Sequence, residues 1–402
     1  MEPIPGVIRA SARDFRVEEI PLYAAKGEGP HLYVTFEKTG LTTDEAVKRL
    51  AAHARVQPRD VGVPGMKDRH AVTVQTVSVP APMSADAADF DAHVRAFESS
   101  GVRILSAARH ANKLRTGHLR GNRFRIVVRR VETRHFASIE KAFARIAAEG
   151  VPNTYGTQRF GIRGDNVERA LAWLGGGPGP RDFKQKRFLY SSLQSHIFNA
   201  VLEARVAQGT WNAPLLGDVL LREDRVLGTE GSSDDQADRA NRPGLRYCED
   251  ETADAGIVRR GDYCPSGPMF GPEMKAPRGE VEALESAVCA SLLGADFDWT
   301  KTRQYGEGTR RHLRLWVEEA RVRFSGTDAQ ERENEGASPT GPSLTSEVLG
   351  SVEVEFVLPR GAYATTVLSN VFQLTEGVSD AGGRNAASSQ ASPDVREIQE
   401  TR

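Results

Sequence analysis

Residues 65–75 have the types and spacing that best fit a chemical step. The order is Gly-Met-Lys-Asp-Arg-His-Ala-Val-Thr-Val-Gln, so Asp68 lies between two cations in a tight turn before a β-branched run. An ionised carboxylate can act as a nucleophile or as a base. An aspartate in a turn is also a common turn former, because its side chain bonds nearby backbone. The segment alone leaves both interpretations open.

The elements that would position Asp68 are predicted from periodicity. Residues 31–37 alternate in the manner of a half-buried strand, and 72–79 and 124–128 show similar strand patterns. A capping box from Thr42 to Glu45 predicts the start of a helix. The apolar residues that follow it at helical spacing are Ala46, Val47, Leu50 and Ala51. The first 150 residues should therefore mix strands and helices.

A basic run occupies residues 102–131. It holds nine lysines or arginines and no acid, although the formal net charge of the whole chain is −1. Such a run is either a solvated face or a phosphate-binding surface. We expect phosphate binding, because these charges have no local counter-charge. The nine cations are Arg103, Arg109, Lys113, Arg115, Arg120, Arg123, Arg125, Arg129 and Arg130.

The pattern changes after Pro152. Residues 167–174, 191–207 and 281–293 read mainly as helices, and strand-like patterns return at 313–324 and 352–358. A polar insert at 325–346 and the final residues are rich in Gly, Glu, Ser and Pro, which disfavours packing. The middle block is therefore expected to form a second unit.

Composition fits an untargeted cytoplasmic protein. The chain has 402 residues, of which 39% are hydrophobic and 27% charged, so it is long enough for two domains. No stretch approaches the roughly 18 consecutive apolar residues of a membrane span. Three cysteines without C-x-x-C spacing predict reduced structural thiols.

Several motifs together resemble the TruD family of tRNA pseudouridine synthases. The segment around Asp68 carries every fixed position of G-x-K-D-x-x-A-x-T-x-Q. Residues 14–19 resemble D-F-x-V-x-E, and 121–124 match G-N-x-F. Residues 153–161 resemble N-Y-F-G-x-Q-R-F-G, and 358–365 resemble L-P-x-G-x-[FY]-A-T. The matches are colinear over most of residues 5–370, with departures at Thr154 and at 369–370.

The resemblance implies an isomerisation of uridine within tRNA, at position 13 in the D arm. The bond from ribose to N1 of the uracil breaks, the base turns, and the ribose rejoins at C5. Asp68 would be the catalytic nucleophile or base. No cofactor or metal is implied, tRNA is the expected partner, and a monomer that binds no membrane is expected.

The resemblance also implies the residues that hold the substrate. Arg9 and Lys67, together with Arg69, would favour the charged form of Asp68, or bind phosphate. Phe15 and Tyr363 are candidate stacking residues, because the uracil must leave its stack to react. The remaining candidates are Asn122, for the base or for orienting Asp68, and Phe124, for lining the pocket. By spacing alone, Phe15 and Phe124 are equally consistent with ordinary core aromatics.

The implied architecture is an α/β protein of the α+β type. A pseudouridine-synthase catalytic domain with a mixed or antiparallel sheet would be interrupted by a TRUD insertion domain. The expected boundaries are 1–152 and 309–372 for the catalytic domain, 153–308 for the insertion and 373–402 for a disordered tail. A cleft between the two domains would accept an RNA duplex arm.

Two other functions compete with this interpretation. An RNA-binding protein without activity would show the same basic and aromatic residues. A metal-dependent nuclease would need two or three clustered carboxylates, and the region around Asp68 offers one obvious acid.

Overall fold

The computed structural model describes residues 2–84, 86–161, 163–223, 225–227, 244–326 and 348–377. These residues form two compact units. The first takes in the described residues of 2–147 and 317–377, and the second those of 148–316. The first unit is therefore built from two separate stretches of chain. The division lies outside the expected boundaries at 152/153 and 308/309, because the short strands Val151–Pro152 and Arg314–Leu315 pair with each other.

Sixteen strands are found in the described residues. They are β1 (Ile4–Ile8), β2 (Phe15–Pro21), β3 (His31–Thr39), β4 (Val72–Pro80), β5 (Glu98–Ser99), β6 (Val102–His110), β7 (Leu119–Glu132), β8 (Val151–Pro152), β9 (Val219–Arg222), β10 (Leu245–Tyr247), β11 (Tyr263–Met269), β12 (Thr309–His312), β13 (Arg314–Leu315), β14 (Glu318–Ser325), β15 (Leu349–Pro359) and β16 (Phe372–Glu376).

The first unit contains a sheet of ten strands in the order β14-β15-β7-β2-β4-β3-β6-β5, with β1 joining β7 and β16 joining β1. Most neighbours are antiparallel, but β2 is parallel to β4 and β1 is parallel to β16. The sheet is therefore mixed, as predicted. The helices of this unit are Thr43–His53, Ala87–Arg95, Phe136–Glu149 and Ala364–Leu368.

The helix Thr43–His53 begins where the capping box predicts. The Thr42 side chain accepts from the Glu45 backbone N–H, and the Glu45 carboxylate accepts from the Thr42 N–H at 2.7 Å. Its apolar face packs on β3 and β4, where Leu32, Val34 and Val77 are fully buried. This core fixes one side of the loop that carries Asp68.

Two strands differ from their predicted bounds. The predicted strand 31–37 continues to Thr39, which adds Lys38 to its buried face. The strand-like pattern predicted at 313–324 corresponds to two strands, β13 and β14, which belong to different units.

The predicted tail begins too early. Residues 373–376 belong to β16, which pairs with β1 along its whole length, from Ile4 opposite Phe372 to Ile8 opposite Glu376. The tail prediction is wrong for these residues, because the parallel pairing satisfies their backbone groups. Residues 378–402 of the tail and 327–346 of the polar insert lie outside the described residues.

The described part of the second unit combines α-helices with two small sheets. Its α-helices are Asn166–Leu174, Phe183–Ala207, Glu251–Arg260 and Gly279–Leu293, and its sheets follow the orders β10-β9-β11-β12 and β13-β8. The second of these helices begins before the predicted residue 191, because the Asp182 side chain caps it by accepting from the Gln185 N–H. A buried pair joins this helix to the start of β9, with Arg205 Nη1 2.9 Å from Asp218 Oδ1.

Short 3₁₀ turns of both units lie at Ala12–Asp14, Pro58–Asp60, Thr133–His135, Thr157–Phe160 and Trp299–Thr302.

The described helices are all too short or too polar to span a bilayer. Cys248, Cys264 and Cys289 are buried and unpaired, as predicted for structural thiols. Burial raises the pKa of Cys289 to about 11, which leaves its thiol protonated near neutral pH.

Candidate active site

Asp68 lies at the surface, in the loop that precedes β4. Its side chain is 64% exposed, and its Oδ2 accepts from Arg9 Nη2 at 2.8 Å. Arg9 also reaches Glu376, with 2.6 Å between Nη1 and Oε1, and its guanidinium lies 4.6 Å from the centre of the Phe15 ring. The parallel pairing of β1 with β16 places Glu376 beside Arg9. The carboxylate of Asp68 is thus accessible to solvent and oriented by one cation.

The buried side chain of Lys38 hydrogen-bonds to the backbone of this loop. Its side chain is fully buried, and its Nζ donates at 2.8 Å to the carbonyls of both Leu41 and Asp68. A third, longer contact of 3.4 Å reaches the carbonyl of Lys67. Burial lowers the pKa of Lys38 from 10.5 to about 8, and the charge of Asp68 opposes this effect. The ammonium therefore connects the backbone at Leu41 to the backbone at Asp68, the residue that is expected to react.

Lys67 and Arg69, the cations on either side of Asp68, form ion pairs with other acids. Lys67 forms an ion pair with Glu19, with 2.8 Å between Nζ and Oε1, and both side chains are buried. Arg69 pairs with Glu45 at 3.0 Å on the surface. Within the described residues, Arg9 is thus the one cation of the three expected that forms an ion pair with Asp68. Lys67 instead neutralises a buried carboxylate beneath the loop.

Thr43 and Gln75 anchor the other side of the loop. The Thr43 hydroxyl donates to Gln75 Oε1 at 3.0 Å and accepts from the Lys67 N–H at 2.9 Å. Side chains two residues apart lie on the same face of a strand, so Thr73 and Gln75 both face this region. Gln75 therefore supports the loop from β4 through Thr43, whereas the Thr73 hydroxyl has no hydrogen-bond partner in the described residues.

Phe15 and Phe124 are core aromatics. They are 4% and 7% exposed, and their ring centres lie 6.4 Å apart in an edge-to-face arrangement on β2 and β7. The core interpretation that the sequence left open therefore holds for both residues. Phe15 also supports the Arg9 guanidinium, which connects this core to Asp68.

Asn122 and Tyr363 have different surroundings. Asn122 is 8% exposed and pairs with Glu19 across β7 and β2, and its Oδ1 is buried without a hydrogen-bond partner in the described residues. Buried polar atoms are nearly always paired, so an unpaired acceptor at this position is unusual. Tyr363 is 45% exposed and precedes the helix Ala364–Leu368. Of the three aromatic candidates, it is the one with an accessible ring.

Three residues of the site were not identified from the sequence. Lys38 could have been found, because it continues the buried register of β3, where a lysine is unexpected. Glu19 occupies the last position of the D-F-x-V-x-E motif. Glu376 carried no signal, because it lies in the stretch that reads as a tail.

Part of the basic run is neutralised by residues distant in sequence. Four of its arginines form ion pairs with acids on other elements. The pairs are Arg103 with Glu37, Arg109 with Asp91, Arg123 with Glu319 and Glu355, and Arg129 with Asp14. The expectation that these four charges lack counter-charges is wrong, because partners on other elements are not visible in a local sequence window.

Three comparisons with known proteins agree with the motifs. The family model described as tRNA pseudouridine synthase D (TruD) matches residues 1–170 and 182–371. This chain belongs to the TruD family. A relative named tRNA pseudouridine synthase D from Anaeromyxobacter sp. (strain Fw109-5) is 36% identical over 92% of this chain and 93% of its own length. A relative of the same name from Thermus thermophilus is 34% identical over 93% of this chain and 91% of its own length.

The fold also matches a solved TruD structure. A crystal structure from Methanosarcina mazei superposes with a TM-score of 0.70 and covers 92% of this chain and 94% of its own. At 21% identity this likeness supports the fold alone. Asp68 and the residues around it lie in the parts of the chain that the TruD family model matches.

In the parts of the chain that the structure describes, no group of three or more His, Cys, Asp or Glu residues is placed to hold a metal ion. Three acids are paired with the cations at and beside Asp68, namely Glu19 with Lys67, Glu45 with Arg69 and Glu376 with Arg9.

Proposed function

We propose that this protein is a tRNA pseudouridine synthase that converts one uridine, by family resemblance uridine 13 in the D arm, to pseudouridine with Asp68 as its catalytic carboxylate. The observation that carries the proposal is the exposed Asp68 carboxylate. It is oriented by Arg9, while its own backbone is held by Lys38, in a chain of the TruD family. A turn former alone would not require this support.

The reaction is an isomerisation. The bond between ribose C1′ and uracil N1 breaks, a bond between C1′ and C5 forms, and the proton leaves C5 while N1 becomes protonated. Asp68 acts as a nucleophile or as a base in this sequence. Arg9 fixes the direction of the carboxylate at 2.8 Å, which keeps it aimed while the base turns.

Asn122 and Tyr363 are the residues proposed to recognise the uracil base. The Asn122 Oδ1 can accept a hydrogen bond from the N3–H of uracil, which is the donor on the edge of that base. Tyr363 offers an accessible ring, and stacking of a base on it would contribute about 1 to 3 kcal/mol. Phe15 and Phe124 support Arg9 and the sheet beneath. The expectations of a cytoplasmic monomer that needs no metal belong to the same proposal.

The test is pseudouridine mapping in tRNA with the wild-type protein and with Asp68→Asn. Because the side chain is exposed and its ion pair is at the surface, the substitution should cost about 1 kcal/mol or less of stability. We expect no pseudouridine from the variant, with tRNA affinity within about tenfold, or roughly 1.4 kcal/mol. The matched control is Asp89→Asn, an exposed aspartate on the helix Ala87–Arg95, which should keep full activity.

The outcomes separate the alternatives. Near-normal turnover by a folded Asp68→Asn protein would refute the role of Asp68. Binding of tRNA without any pseudouridine from the wild type would favour an RNA-binding protein without activity. Cleavage of RNA that stops in excess chelator would favour a nuclease.

A further inference from the structure

Five cations around the loop that joins β6 to β7 differ from the paired arginines of the sheet. They come from three separate segments, 57–61, 111–120 and 359–362, in which Asp60 is the single acid. We call them the loop patch. Its members are Arg59, Lys113, Arg115, Arg120 and Arg360.

Direct contacts join the three segments. Lys113 Nζ lies 3.4 Å from the carbonyl of Arg59. Arg360 donates from Nη1 to the carbonyl of Gly117 at 2.9 Å, and its backbone N–H donates to the carbonyl of Arg120 at 3.1 Å. The patch is therefore a local surface and not a set of scattered charges.

The charges of the loop patch are not neutralised. None of its members lies within ion-pair distance of a carboxylate in the described chain, whereas Arg103, Arg109, Arg123 and Arg129 all do. Burial lowers the pKa of His118, and the charges of Arg115 and Arg360 lower it further. Both arginines are thus close enough to act on one site. Uncompensated cations that converge in this way attract an anionic partner.

The loop patch adjoins the loop that carries Asp68. The Gly117 N–H donates to the carbonyl of Pro64 at 2.9 Å. At the next residue, Gly65, an added Cβ would lie 3.7 Å from the Leu119 side chain and 3.3 Å from Lys67 Nζ. Gly65 therefore lies within van der Waals reach of the Leu119 side chain. A chain that presents a base to Asp68 would pass near these cations.

We infer that the loop patch binds backbone phosphates of the RNA substrate beside the reacting uridine. The inference rests on the proposed function for the identity of the substrate. Phosphates fit because they are anionic and spaced along a flexible backbone, which suits cations carried on separate segments. The strand arginines with acidic partners are structural and contribute little to RNA affinity.

The test compares two triple variants with the same change in charge. The first is Lys113→Gln, Arg115→Gln and Arg120→Gln in the full chain. The matched control is Arg103→Gln, Arg303→Gln and Arg323→Gln, three exposed arginines that each pair with an acid. Binding of transcribed tRNA and single-turnover pseudouridine formation are measured over a range of salt, with a thermal melt of each protein.

We expect the patch triple to bind tRNA at least about tenfold more weakly, with a salt slope reduced by about 2 for three lost phosphate contacts. The rate at saturating RNA should stay within about twofold, because none of the three residues contacts Asp68. The control triple should match the wild type. Unchanged affinity and slope in the patch triple would overturn the inference, as would an equal loss in both triples.

Failure of the proposed function is distinguishable, because it would appear as no pseudouridine from the wild type. The measurement of tRNA binding still tests the loop patch in that case. If the triple variant does not fold, Arg115→Gln alone replaces it, since this side chain makes no hydrogen bond or ion pair in the described chain. About a twofold or greater loss of affinity with a lower salt slope supports the inference, and no change overturns it.

Discussion

Lys38→Met tests whether the backbone of Asp68 must be held for turnover. Methionine keeps the apolar stem of the side chain, up to the position of Cε, but removes the ammonium. The carbonyls of Leu41 and Asp68 then each lose a donor at 2.8 Å, and the carbonyl of Lys67 loses a weaker one at 3.4 Å. The carboxylate of Asp68 and its contact with Arg9 are chemically unchanged. Any effect on turnover must therefore come from the position of the loop.

The expected loss of stability is small because two large effects oppose each other. Each short hydrogen bond from a charged donor contributes about 1.5 to 3 kcal/mol, so the two together contribute about 3 to 6 kcal/mol. Lowering the Lys38 pKa from 10.5 to about 8 corresponds to about 3 kcal/mol of unfavourable charge burial, which the variant no longer bears. The free energy of unfolding should fall by about 0 to 3 kcal/mol. The protein should stay folded, with a melting temperature a few degrees lower.

The expected loss of activity is larger. A displacement of about 1 Å at a reacting group costs about 100-fold in rate, so kcat should fall by roughly that factor while KM for tRNA changes little. The control is Lys48→Met, an exposed lysine on the helix Thr43–His53. Steady-state kinetics with tRNA and a thermal melt of each variant provide the measurement. A folded Lys38→Met protein with kcat near that of the wild type would refute the positioning role.

Two further predictions use the same site. Burial lowers the pKa of Lys38 to about 8, so wild-type turnover should fall as pH rises through this value, because the neutral amine loses one N–H donor. The free energy of unfolding should rise with pH between about 8 and 10.5, because Lys38 of the unfolded chain binds more protons than Lys38 of the folded chain in this range. The pH profiles of turnover and of melting temperature should therefore diverge. Lys38→Met should lack the decline in turnover. Arg9→Met should lower kcat by at least about tenfold, because the carboxylate loses its orienting partner, and should leave the melting temperature within a few degrees. An unchanged kcat for Arg9→Met would show that Arg9 does not orient Asp68.

Local sequence patterns predicted the strands and helices that depend on neighbouring residues. They did not predict the elements that form by pairing with a distant segment. The alternation at 31–37 and the capping box at Thr42 rest on neighbouring residues, and both elements are present. β16 has no such pattern, because it is stabilised by its parallel partner β1 at the opposite end of the chain. A window of sequence cannot show this partner, so the sequence alone places Glu376 in a tail.

The same limit applies to charges. The motif identifies Asp68, but it does not show that Lys67 turns away to Glu19. The arginines of the basic run look uncompensated in sequence, yet Asp14, in the 3₁₀ turn before β2, neutralises Arg129 at 2.8 Å. Residue types therefore predicted the chemistry of the site, whereas the partners of each charge depended on sheet register.

Arg9 shows why the partner of Asp68 is a property of the whole unit. Its backbone has a φ of 56°, a left-handed conformation that costs a non-glycine residue about 1 to 2 kcal/mol. Contacts with Asp68, Glu376 and the Phe15 ring offset this cost, and they come from three separate segments. An arginine can make them together, because its planar group offers separate N–H donors to two carboxylates while its face stacks on a ring. A lysine would offer one compact ammonium instead, so Arg9 orients Asp68 through a geometry that depends on Glu376.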